Sequence, residues 1–173
     1  MTEPAMTGLP AIDEVGPEHT MLGQFLDYYR VVFARKVEGV DETAARATVP
    51  PSTMHLLGLM RHMADVERWW FRIFFAGEQI ESIHETADDP DHDWHPDPDD
   101  TLAEALTQWH GEVAHARAIV ARSTDLDALG AIRDGHRGDV SLRWIMIHMI
   151  EEYARHCGHA DYLRESIDGA TGD

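Results

Sequence analysis

The chain has 173 residues, enough for one domain with a hydrophobic core, and 32 acidic against 14 basic side chains give it a net charge of −18. That sign excludes a surface built for phosphate backbones or anionic lipid, so neither nucleic acid nor a membrane is an expected partner. A single cysteine, Cys157, excludes an internal disulfide and a cysteine-based zinc site, which fits a reducing, cytoplasmic setting.

Residues 1 to 16 include Pro4, Gly8, Pro10 and Gly16 and show little periodicity, so they are expected to form a loosely held lead-in to one folded domain over residues 17 to 169. The first residues lack the basic start and apolar stretch of a secretory leader, and no apolar run approaches the roughly 18 residues of a membrane span. A first helix is predicted from about Pro17 to Glu38, with Leu22, Phe25, Leu26, Tyr29, Val32 and Phe33 three and four apart and Gly39 as its stop. A second is predicted after Pro50 with Ser52 as N-cap, running through Met54, Leu57, Met60, Met63, Trp70 and Phe74 to Gly77. Arg61, Asp65, Arg68 and Arg72 share a stripe read as its wet side. At about 100° per residue, His62 then falls on the flank of the buried face.

From Glu78 to Asp100 the chain carries ten acids and no Lys or Arg, interrupted by Pro90, Pro96 and Pro98. Connections of this length are usually functional or disordered, and this one holds His92, Trp94 and His95, but an acidic, solvated crossover is the preferred reading. A third helix comes next, capped by Asp99 or Asp100, with Glu104 in its first turn and Leu102, Leu106, Trp109, Val113, Ile119 and Val120 on its apolar face, ending near Ser123. Residues 124 to 138, with Gly130, Gly135 and Gly138, form a second connection, and the last helix runs from about Ser141 to Ile167 with Gly169 as its stop. No alternation of period two and no long repeat is visible. The expected fold is all-α, a four-helix bundle with long crossover connections.

Twelve histidines make the last helix the most informative segment, because histidine is the commonest metal ligand. Its apolar face is Leu142, Ile145, Met149, Tyr153, Ala160 and Leu163, and Glu152 and His156 lie one turn apart at the edge of that face, within about 40° of each other. His148 and His159 are displaced further outwards. Two ligands four residues apart on one helix, with a third from a facing helix, build a metal site in a bundle, and His62 is the available third. Two imidazoles and a carboxylate suit Zn²⁺, Ni²⁺ or Fe²⁺ and leave a position open for water or substrate. The same Glu–His spacing also describes an ordinary surface pair, so the residues alone leave both readings standing.

Other constellations carry less. A ferritin-like di-iron centre needs two Glu-x-x-His pairs and two further glutamates, and only Glu112 with His115 forms a clearly helical pair. His92 and His95 lie in a loop without a fixed third ligand, and Cys157, near the middle of the apolar face, is expected to be an inert core thiol. There is no Gly-rich phosphate loop and no Gly-x-Ser-x-Gly elbow, and no catalytic acid, base or nucleophile stands out.

The run from Leu57 to Trp70 (LGLMRHMADVERWW), paired with the run from His148 to Glu165 (HMIEEYARHCGHADYLRE), resembles the DinB-like superfamily of DinB/YfiT-like bundles. It looks closest to the actinobacterial mycothiol-dependent S-transferase branch, and the resemblance extends over about residues 17 to 169. It implies a divalent metal held by a histidine on the second helix and two residues one turn apart on the fourth, matched here by His62, Glu152 and His156. Many relatives have histidine where this chain has Glu152, whereas the maleylpyruvate isomerase branch is similar to it in using glutamate; the departure bears on which metal is held. Where many relatives have glutamine, this chain has His159, which with His148 becomes a supporting group or alternative ligand. The isomerase's additional C-terminal domain has no counterpart in the sequence, so maleylpyruvate isomerisation is not implied.

The implied activity is metal-dependent S-transfer of a low-molecular-weight thiol such as mycothiol to an electrophilic small molecule, in detoxification, with Zn²⁺ the first candidate and Ni²⁺ or Fe²⁺ alternatives. Trp69, Trp70 and Met149 would frame the site or simply pack, and Arg143 and Arg155 are expected at the surface. The rival readings are a metal-dependent hydrolase and a non-catalytic, stress-related metal-binding or dimerisation protein; an exposed Trp144 is compatible with a homodimer.

Overall fold

The computed structural model describes residues 8–132 and 139–172, in which regular structure is helical. The helices are α1 (Glu18–Arg35), α2 (Glu42–Ala45), α3 (Leu56–Glu67), which runs on into a π-helical segment (Arg68–Phe75), α4 (Leu102–Arg122) and α5 (Leu142–Asp168). Among the described residues there is no strand beyond an isolated antiparallel bridge between Leu129 and Ser141. α1 lies along α5 and α3 along α4, with α3 also touching α5, so the four long helices close into an all-α bundle. Pro4, Gly135 and Gly138, singled out in the sequence, fall outside the described residues.

Apolar spacing placed the long helices well, but several ends differ. The His55 side chain, not Ser52, caps α3 by accepting from the Gly58 N–H at 2.9 Å. Ser52 serves a local turn instead, its hydroxyl accepting from the Met54 N–H. α4 is capped by Thr101, which accepts from the Glu104 N–H and donates to the Glu104 carboxylate; Asp100 is drawn away to Arg61. The short α2, not predicted, starts at an Asp41 cap that accepts from the Ala44 N–H. Gly169 closes α5 with φ of 77°, a left-handed conformation that glycine adopts without penalty.

The stripe expected to be wet is covered. Arg61 is 2% exposed and Asp65 4% because the acidic crossover lies across them. Arg61 donates to the carbonyls of His92 at 2.6 Å and Asp93 at 3.0 Å and to the Asp100 carboxylate at 2.5 Å. Asp65 accepts from the N–H groups of Ile83 and His84, supplying partners that an irregular segment lacks internally. The longer hydrogen-bonded turns of the π segment rotate its side chains out of the α-helical phase. Trp70, Phe71 and Phe74 are buried, while Arg68 and Arg72 reach Glu112 on α4. The carbonyls of Phe74 and Phe75 at its end accept from Ile132 and Ala131 of the second connection. A side chain at Gly130 would begin 2.7 Å from the Phe74 ring, so this approach requires glycine.

At the centre of the bundle each long helix contributes one polar group to a closed network. Arg30 of α1 donates to both oxygens of Glu67 of α3 at 2.8 Å. The Tyr153 hydroxyl of α5 donates to Glu67 Oε1 at 2.6 Å and accepts from the Trp109 indole of α4 at 2.8 Å. Glu67 is fully buried, and burial with the adjacent Glu67 carboxylate holds the Tyr153 phenol well above its ordinary range, so it remains a donor. Periodicity gave no sign of this network, since Trp109 and Tyr153 read as members of apolar faces and Arg30 and Glu67 as isolated charges.

Candidate metal centre

His62 projects from the middle of α3, and Glu152 and His156 from successive turns of α5. The contact between these helices brings one ligand atom of each residue within 4.8 Å of the other two. His156 Nε2 stands 3.4 Å from Glu152 Oε2, close to the ~3.4 Å edge of a tetrahedral site with bonds of about 2.1 Å. The donor set, two imidazoles and one carboxylate, fits a divalent ion such as Zn²⁺, Ni²⁺ or Fe²⁺.

Both imidazoles are oriented by a second contact. His62 Nδ1 lies 2.7 Å from Asp93 Oδ2; with the Nδ1 proton donated to that carboxylate, Nε2 keeps its lone pair for a metal. His156 Nδ1 lies 3.3 Å from His159 Nδ1, so one ring donates to the other and His156 Nε2 faces Glu152. Burial, with help from His62, His159 and Arg155, pushes the His156 imidazole down to about 3, keeping it in the neutral, metal-binding form. Glu152 has His148 Nε2 at 3.5 Å and Arg155 Nη1 at 3.6 Å. The Trp94 ring lies 4.9 Å from that of His62 and 6.2 Å from that of His156, forming a roof from the crossover.

The other residues singled out in the sequence are placed differently. His148 stacks on Trp144 at 4.8 Å and meets the edge of Trp70 at 4.9 Å. Trp70 and Met149 are buried in the core, and Trp144 is exposed. Trp69 is also exposed and lines a cavity of about 510 Å³ with Ile73, Ile80, Glu81, Glu85 and Pro90. Burial first, then the carboxylates of Asp65 and Asp93, hold the Glu85 carboxyl above its usual range, while His62 acts in the opposite sense. Arg143 is tied at the surface to Glu18 and Asp127, and Arg155 to Glu151. Cys157 is buried with Sγ 3.9 Å from the Tyr29 carbonyl oxygen. Glu112 is neutralised by Arg68 and Arg72 while His115 is exposed, and His92 and His95 both turn to Asp89.

Sequence reasoning missed Asp93 and the roof over the site. Asp93 is one of ten acids in its segment and nothing local distinguishes it; the available signal was its neighbour Trp94, the lone Phe, Tyr or Trp between Glu78 and Asp100.

Fold and side chains together define an all-α bundle with a His–Glu–His cluster between two of its helices. The mycothiol-S-transferase family profile matches residues 21–169, and the chain belongs to this DinB-like family. Among solved structures it is similar in fold to a conserved protein from Enterococcus faecalis, at 15% identity and a TM-score of 0.62, over 90% of this chain and 100% of that one. No curated protein matches the chain significantly. No helix among the described residues is long and apolar enough to cross a membrane.

Proposed function

We propose that the protein joins a low-molecular-weight thiol, mycothiol, to an electrophilic small molecule at a divalent metal held by His62, Glu152 and His156, as a step in cytoplasmic detoxification. The observation that carries this reading is the convergence of those three side chains from α3 and α5, in a chain of the mycothiol-S-transferase family. Zn²⁺ is the first candidate, with Ni²⁺ and Fe²⁺ as alternatives. When bound, such an ion supplies a coordination position at which a thiol is held as its nucleophilic thiolate.

The chain's own residues supply the rest. His62 and His156 offer neutral nitrogen donors, Glu152 offers the charged donor, and His159 fixes the ring of His156. Trp94 lies beside both imidazoles and His156 is buried, and low solvent exposure strengthens electrostatic interactions at that ring. The electrophile is assigned to the 510 Å³ cavity beside Trp69, whose volume suits a small molecule. Its walls combine Trp69, Ile73, Ile80 and Pro90 with the carboxylates of Glu81 and Glu85, which favours an apolar acceptor that is uncharged or cationic and repels one bearing a carboxylate.

The test begins with metal content by mass spectrometry for wild type beside His62→Ala and His156→Ala. Near-stoichiometric metal in the wild type, lost in both variants, is expected, together with consumption of a thiol-reactive electrophile only when mycothiol is added. Turnover without added thiol would point to hydrolysis, and metal retained by both variants would sink the proposed site.

A further inference from the structure

We infer that Asp93 is a positioning residue for the metal centre, and that His92–Trp94 form a strap whose docking on α3 and the binding of metal stabilise each other. The inference rests on the metal reading above and deepens it by naming what controls occupancy of the site.

Of the ten acids between Glu78 and Asp100, Asp93 alone is buried, at 3% exposure. Burying a carboxylate is costly unless it is paired. Its pairing is specific: Oδ2 meets His62 Nδ1 at 2.7 Å and Oδ1 accepts from the Trp94 N–H at 3.0 Å. The backbone around it is pinned to the first turns of α3. Arg61 holds the carbonyls of His92 and Asp93, and His55 Nε2 lies 3.3 Å from the Trp94 carbonyl oxygen. Because His55 Nδ1 accepts from Gly58, Nε2 carries the proton and donates. A Cβ at Gly58 would sit 3.0 Å from both the Trp94 ring and the His55 ring, so this turn of α3 is shaped to receive the strap.

A carboxylate that accepts the remote N–H of a metal-bound imidazole fixes its tautomer and raises its basicity as a ligand. A divalent metal held by His62 would in turn polarise Nδ1–H and strengthen its bond to Asp93. Linkage makes these effects equal in free energy: whatever affinity the docked strap adds, bound metal returns as tighter docking. The role differs from plain charge attraction, since exposed neighbours such as Asp91 carry the same charge without touching His62.

The test compares Zn²⁺ affinity, by competition with a chromophoric chelator, for wild type, Asp93→Asn and Asp91→Asn. Asp93→Asn is expected to weaken binding about 10–100-fold and Asp91→Asn to leave it unchanged. In wild type alone, Zn²⁺ is expected to slow hydrogen exchange at the His92–Trp94 amides, a readout that stands even if a variant folds poorly. Equal affinity of Asp93→Asn and wild type, equal losses in both variants, or unaltered exchange on adding Zn²⁺ would each overturn the inference while leaving the site in place. A wild type that binds no Zn²⁺ overturns the metal reading as well.

Discussion

His84 illustrates how one side chain sets a condition on the whole fold. It is buried beneath the crossover with Nε2 unpartnered among the described residues, beside a space of about 30 Å³ that it shares with Arg61, Asp100 and Thr101. That volume accommodates one water. Burial first, and the Arg61 charge second, push the imidazole down to about 4 from an ordinary value near 6.5. Between those values the unfolded chain binds the proton and the folded one does not, so stability is fully present above about pH 6.5 and declines as pH falls towards 4. Urea midpoints for metal-free protein are therefore expected to drop between pH 7 and pH 5. His84→Gln should reduce that difference without abolishing it, because His156 remains neutral in the fold by the same kind of burial.

Among the elements, the crossover is anchored to one side of α3 by charge rather than by apolar packing alone. Arg61 contributes three of the contacts, so Arg61→Ala leaves the Asp93 carbonyl without its donor and loosens the hold on His92 and Asp100, which keep only local bonds from the His95 and Asp97 N–H groups. The expected outcome is a protein of unchanged helix content, by circular dichroism, whose chain between Thr86 and Asp100 becomes sensitive to limited proteolysis. This attachment also explains where sequence reading stopped. The i, i+4 relation of Glu152 and His156 is local and was legible, and the phase of His62 came from its own helix. The burial of Arg61 and Asp65 was not legible, because periodicity reports polarity, while their burial depends on a segment 18 or more residues away in sequence that needs partners for its backbone. The caps on α3 and α4 went astray for a related reason: Ser52 and Asp100 had the right chemistry but were engaged elsewhere.

Across the whole molecule, the Arg30–Glu67–Tyr153–Trp109 network joins all four long helices through groups that cannot be solvated where they lie. Removing the Glu67 charge leaves the buried Arg30 with only the partly exposed Asp27 as counter-charge, so Glu67→Gln is expected to cost about 3 kcal/mol in urea unfolding. The four rods were legible from apolar spacing, but this network was not, since it depends on four residues that meet only in three dimensions.

That shared junction also governs how the bundle can move. Drawing any one long helix aside would strand a charge or a donor in apolar surroundings, which closes the route of opening the bundle along a seam. Movement near His62 and His156 is thereby left to the crossover, which meets both rings through a single indole, Trp94, on an irregular chain.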